Sequence, residues 1–194
     1  AKDSLKCFNQ GELNYVVTRE SEFRSLLYAG DIKDAGKVIK NMVNEYKDSI
    51  DEHRLSTHRY FLACFHFANG QFRKCNQLLA DAFEFKNDRT GWEFNARVLG
   101  VMASLEQNKI EIAQEKYYSL FRLFERNQED KKALSPRNKI ILELIKKWIK
   151  AGGNKSIAKM KGTELLAKLS LPKNEWDPLG SELIPFDKWM ASKV

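Results

Sequence analysis

Proline and glycine are scarce in this chain of 194 residues, with four and ten copies. That scarcity argues against a turn-rich all-β design. Cysteine is rarer still: Cys7, Cys64 and Cys75 are odd in number and show no CxxC spacing, which argues against a disulfide framework or a zinc site. Reduced, buried thiols are the expectation, and with them a cytoplasmic setting. No apolar run reaches the roughly 18 residues of a membrane span, and the start Ala1-Lys2-Asp3-Ser4 lacks the layout of a signal peptide. No membrane partner is expected. Residue 1 is Ala rather than Met, so the chain is expected to be part of a longer protein.

Good helix formers fill the space those absences leave, and the length suits one domain spanning 1–194. The stretch Gly30-Asp31-Ile32-Lys33-Asp34-Ala35 returns as Gly70-Gln71-Phe72-Arg73-Lys74-Cys75 and as Asn108-Lys109-Ile110-Glu111-Ile112-Ala113. In each copy a turn residue is followed by an apolar residue two positions on and a small one five positions on. The intervals are 40 and 38 residues, a period typical of stacked helical hairpins.

Behind each turn runs one amphipathic pattern. Its positions are Ile32, Ala35, Ile39, Met42, Val43 and Tyr46; then Phe72, Cys75, Leu79, Ala82 and Phe83; then Ile110, Ala113, Tyr117, Leu120, Phe121 and Phe124. Ahead of the turns, helices are expected at about 12–29, 52–69 and 90–107, and a fourth at 136–151. The fourth has Ser135 as N-cap, Pro136 at its first position and Gly152 beyond its end. Asp88 or Thr90 is expected to cap the third, and Ser49 or Asp51 the second.

Beyond Gly152-Gly153 the repeat register is lost. A weaker helix is expected over 155–170, interrupted by Gly162. Trp176, Leu183, Ile184, Phe186 and Trp189 make the following tail too apolar for disorder, so it is expected to fold back and cap the last hairpin.

The Gly30 to Ala35 and Gly70 to Cys75 runs, with Leu62-Ala63 and Leu99-Gly100 in the preceding helices, resemble the tetratricopeptide repeat over about residues 12–126. The period is longer than that family's roughly 34 residues, and no proline closes each unit. The resemblance implies an all-α, right-handed superhelix, an α-solenoid of about three and a half antiparallel helical hairpins. The regular hairpins would cover about 12–126, with a fourth hairpin and C-terminal capping segment over about 135–194. It further implies a non-enzymatic scaffold that holds a peptide segment or another domain in a concave groove lined by the first helix of each hairpin. Carried over by register, the groove positions are Tyr60, Cys64 and Phe67, then Phe94, Arg97 and Val101, then Lys139, Leu142 and Lys146. Tyr60, Phe67 and Phe94 would be apolar anchors. Arg97, Lys139, Lys146 and Lys150 would orient acidic groups. Core packing is the competing reading for every apolar residue in this set.

Charge is unevenly spread. Residues 131–170 hold 11 Lys or Arg against 2 Asp or Glu, so +9 lies there and −2 elsewhere, out of +7 in all. An acidic or phosphorylated protein partner would suit that end, and a sequence-independent nucleic-acid binder is the alternative. A solvated lysine face, supported by Glu143 pairing with Lys146 and Lys147, is the plainer explanation. His53, His58 and His66 show no metal-binding spacing and read as surface or groove residues. Gly152-Gly153-Asn154-Lys155-Ser156 follows no strand and has the wrong glycine spacing for a phosphate loop. No nucleophile motif is present. No metal, cofactor or catalytic residue is expected.

Overall fold

The computed structural model describes residues 10–46, 52–80, 85, 88–126 and 134–191, and all regular secondary structure among them is helical. Two units divide the chain, Ala1–Asn87 and Asp88–Val194.

In the first unit, α1 (Gln10–Ala29) packs on α2 (Ile32–Tyr46), α2 on α3 (Glu52–Ala68), and α3 on α4 (Phe72–Leu78). The sequence of α2 shows why it lies on a surface: Ala35, Val38, Ile39 and Met42 are buried, whereas Lys33, Lys37 and Lys40 are exposed. A different distribution marks α3, which buries Ser56, Thr57, His58, Tyr60, Phe61, Ala63, Cys64, Phe65 and Phe67, residues that cover most of its circumference. Phe61 stacks on Phe23 of α1 at 5.2 Å. Gly36 of α2 sits so close to Phe65 that a Cβ there would lie 2.5 Å from the ring. The pattern expected behind Gly70 is cut short, because α4 ends at Leu78; Ala82 and Phe83 lie outside the described residues, as do the caps Ser49 and Asp51.

The second unit opens with a π-helical turn, Arg89–Glu93, leading into α5 (Phe94–Glu106). Asp88 caps this start, its carboxylate accepting from the Trp92 amide at 3.3 Å. α5 packs on α6 (Ile110–Arg126) and α6 on α7 (Pro136–Lys150). Ser135 caps α7 as the sequence indicates, with Oγ accepting from the Asn138 amide at 3.0 Å. After α7 come α8 (Lys155–Lys161) and α9 (Thr163–Leu169), separated at Gly162, then a 3-10 turn (Pro172–Asn174) and α10 (Phe186–Ala191).

The repeated turn has one geometry. Gly30, Gly70 and Asn108 adopt φ of 80°, 69° and 55°, and at each the residue's amide bonds the carbonyl three back while the next amide bonds the carbonyl five positions before itself. Two carbonyls left open at the helix end are thereby satisfied. Gly152 has the same conformation, with φ 62°, and the same pair of bonds, from its own amide to Ile149 and from Gly153 to Trp148. The register expected to be lost here is recoverable. One extra residue, Gly153, precedes Asn154, which starts α8 as Asp31, Gln71 and Lys109 start their helices. Ala158 then stands where Ala35, Cys75 and Ala113 stand, and all four are fully buried. Gly153 itself lies against α6: a Cβ on it would meet Ile110 Cδ1 at 2.1 Å.

The tail folds back on its unit through a buried arginine. Arg137 on α7 donates from Nε and Nη2 to the two oxygens of Glu182 at 2.6 and 2.8 Å, from Nη2 to Asp187, and from Nη1 to the Asn174 carbonyl at 2.9 Å. Burial opposes its charge, but the hydrogen bonds and charges of Glu182 and Asp187 outweigh it and raise the guanidinium's pKa above its ordinary value. Trp176 Nε1 donates to the Glu182 carbonyl at 2.7 Å, with Lys188 over its ring.

Candidate functional site

The residues carried over to a groove separate by chemistry. Tyr60, Phe67 and Phe94 are 1%, 6% and 0% exposed, so none presents a surface to a partner. Phe67 packs edge-on against Phe72 and Phe94 against Phe124. Cys64, Val101 and Leu142 are buried with them. The physical reason is that α3 and α5 bury side chains around most of their circumference, so a position that a two-sided helix would turn outward faces neighbours. For these apolar positions, core packing describes what is observed.

The cationic positions remain at the surface. Arg97 is exposed on α5, but its guanidinium is held by Glu93 at 2.8 and 3.0 Å. On α7, Lys139 and Lys150 are exposed and Lys146 and Lys147 half-buried. Lys139, Lys146 and Lys150 follow one another along a row of the helix, since steps of seven and four residues return to one side. Among the described residues none of these four lysines forms an ion pair, and the expected pairing of Glu143 with Lys146 and Lys147 is absent. Glu143 acts on α6 instead: burial, and after it the Glu143 charge, push the Tyr117 phenol up to about 12. Lys147 and Lys150 also fall in the last turn, where cations complement the helix dipole. Lys139 and Lys146 have no such local explanation. Lys161 and Lys168 add exposed charge on α8 and α9.

The hydrogen bonds of Arg97 go to Glu93, four residues earlier, and none joins it to this row among the described residues. Of the basic residues counted between 131 and 170, Arg137 is consumed by Glu182 and Asp187, and Lys131 and Lys132 lie outside the described residues.

The histidines divide three ways. His53 is exposed, with Phe85 edge-on to it. His66 is half-buried and bonded to Gln71 at 2.8 Å. His58 is fully buried and bonded to Glu20 at 2.9 Å, which makes it a core residue and not a surface one. Cys64 and Cys75 are free and buried; burial raises the Cys64 thiol well above its ordinary pKa. No cluster of three or more metal-ligating side chains occurs among the described residues, and no helix among them is long and apolar enough to cross a membrane.

Sequence reasoning passed over one group of residues. Asn95, Arg137, Asn138 and Asn174 are all buried and all line one cleft. Their separations in the chain leave no local pattern. The only available signal was the pair Arg137-Asn138 inside the first turn of an otherwise apolar-striped helix.

No family model matches the chain, and neither a curated protein nor a solved structure shows significant similarity to it.

Proposed function

We propose that this protein is a tetratricopeptide-like scaffold, a right-handed superhelix of stacked hairpins, acting in the cytoplasm without catalysis or cofactor. The lysine row of α7 binds an acidic or phosphorylated segment of a partner protein. What carries this reading is that Lys139, Lys146, Lys147 and Lys150 share one helix and form no ion pair among the described residues. Elsewhere Arg19, Lys37, Arg54, Arg97 and Arg137 are each matched by a carboxylate, and although Lys33, Arg73, Lys74, Lys109 and Lys173 are also unpaired among the described residues, α7 is the helix that carries four such groups. A row of unmatched ammonium groups attracts an anionic strand and sets its register, and three donors on each head adapt to carboxylate or phosphate. Apolar anchoring by Tyr60, Phe67 or Phe94 has no part in it, because those rings are enclosed.

Fluorescence anisotropy with a glutamate-rich peptide, its phosphoserine counterpart and a single-stranded oligonucleotide tests the proposal. Reversal of three charges in Lys139→Glu, Lys146→Glu and Lys150→Glu together is expected to weaken peptide binding about tenfold or more at low salt, with the circular dichroism spectrum unchanged. Unaltered affinity in that variant sinks the assignment. Binding of the oligonucleotide alone, with a steep and regular loss on adding salt, would move the reading to nucleic acid.

A further inference from the structure

Four residues of α7 are exposed: Pro136, Lys139, Glu143 and Lys150. At about 100° per residue they fall within one arc of about 60°, and the half-buried Lys146 and Lys147 flank it by about 20° on either side. The opposite side carries Arg137, Ile141, Leu144 and Trp148, all buried. Along the open ridge the charge is positive at Lys139, negative at Glu143, and positive at Lys146 and Lys150. Glu143 makes no hydrogen bond or ion pair among the described residues, although Lys146 and Lys147 stand three and four positions on. A carboxylate left open inside a lysine row repels an occupant with an unbroken line of negative charge. It attracts one that carries a cation at that point.

Spacing restricts the occupant further. At a rise of about 1.5 Å per residue, Glu143, Lys146 and Lys150 stand about 6, 10.5 and 16.5 Å from Lys139 along the axis. The opposite charges of Glu143 and Lys146 are therefore separated by only about 4.5 Å in that direction. An extended segment returns to one side every 6.8 Å or about that, too coarse to give each of the two its own counter-charge. A second helix repeats the steps of four, three and four residues, and at a crossing angle of about 20° it stays in step over this length. Laid antiparallel, it sets its N-terminal half, where acidic residues are favoured, beside Lys146 and Lys150.

We propose that this ridge docks an α-helical segment of a partner protein, antiparallel to α7. The segment carries acidic residues at i, i+4 and i+11, opposite Lys150, Lys146 and Lys139, and a basic residue at i+7, opposite Glu143. Glu143 is the residue that selects this order over a uniform anion. This assignment, which rests on the α7 row being a surface for an acidic partner, gives that partner a conformation and an order of charges.

Fluorescence anisotropy of the full chain at low salt with three peptides of equal composition, each about 18 residues long, tests it. The matched helix, alanine-based and lactam-stapled on its far side, has Glu at i, i+4 and i+11 and Lys at i+7. The swapped helix exchanges the residues at i+4 and i+7, so Lys meets Lys146 and Glu meets Glu143. The third peptide has the matched order but carries prolines that hold it extended. The matched helix is expected to bind about three- to tenfold more tightly than the swapped one. Glu143→Gln should narrow that ratio about twofold, and Glu143→Lys with Lys146→Glu should reverse it. Equal affinity for the two helices, an extended peptide as tight as the matched helix, or an unreversed preference in the double variant would each overturn the proposal. The row would remain a surface for acids if Lys139→Glu, Lys146→Glu and Lys150→Glu together still weakened binding. If that triple variant binds unchanged, or if no peptide binds the chain, both assignments fall together.

Discussion

The indoles of Trp148 and Trp189 stack with ring centroids 4.8 Å apart and planes 25° from parallel. Both N–H groups are used: Trp148 Nε1 donates to the Gly153 carbonyl at 2.8 Å and Trp189 Nε1 to Glu106 Oε1 at 2.6 Å. One aromatic pair thus ties α7, the turn after it, α10 and the end of α5. Trp189→Ala is expected to lower the stability of the second unit by about 3–5 kcal/mol. Trp189→Phe should cost less, since a ring remains to stack but the bond to Glu106 is lost. Urea unfolding followed by near-ultraviolet circular dichroism measures both, and a loss below about 1 kcal/mol for the alanine variant would show that the tail does not depend on this stack.

Asn108 occupies with a side chain the left-handed conformation that glycine holds at the other repeated turns. Asn108→Gly should therefore stabilise by about 0.5–1 kcal/mol, because the strain of a Cβ in that region is relieved. A destabilised variant would mean that the Asn108 side chain contributes something its φ does not reveal.

Gly152 and Gly153 both have positive φ, yet a Cβ on Gly152 meets nothing within 4 Å whereas one on Gly153 would strike Ile110. Gly152→Ala should cost about 1 kcal/mol from backbone strain, and Gly153→Ala about 1–3 kcal/mol more from overlap. Shortening Ile110 to Ala in the Gly153→Ala background should recover the overlap part. A double-mutant cycle with no coupling between 110 and 153 would contradict that close approach.

Arg137 is 7% exposed and faces two carboxylates. Arg137→Ala removes the cation and strands Glu182 and Asp187, which should cost about 3–5 kcal/mol. Arg137→Lys keeps the charge but loses the fork that engages both oxygens of Glu182, so an intermediate loss in thermal unfolding is expected. Equal losses for Lys and Ala would make the planar geometry decisive, and no loss for either would remove the arginine from the account of the tail.

Burial holds the His66 imidazole below its ordinary pKa of 6.5, with Lys74 and Lys40 acting in the same direction and the Gln71 hydrogen bond against it. The unfolded chain therefore takes up a proton more readily than the folded one as pH falls through 6.5. The stability His66 contributes is present above that value and lost progressively below it. His66→Gln should flatten the fall in denaturation midpoint between about pH 7 and pH 5. An unchanged slope would show that other groups set it.

Much of the hairpin scheme was readable because its signals are local. A turn residue, an apolar residue two positions later and a small residue five later are properties of six consecutive amino acids, and they placed the starts of α2, α4 and α6 at Ile32, Phe72 and Ile110. The fourth copy was hidden by one inserted residue, Gly153, which shifts the small position to Ala158. Periodicity gave helix but not exposure for Tyr60, Phe67 and Phe94, because a helix packed on several sides and one facing a groove both repeat apolar residues every three or four positions.

The sequence by itself determined that the described chain is helical, where its hairpins turn, and which end is basic, since capping, backbone conformation and composition depend on neighbours along the chain. Tertiary structure alone decided which of those charges stay unmatched. Glu182 and Asp187 reach Arg137 across 45 and 50 residues, and His58 finds Glu20 across 38. Only folding brings such groups within hydrogen-bonding distance, so only the fold could separate the consumed arginine from the open lysines of α7.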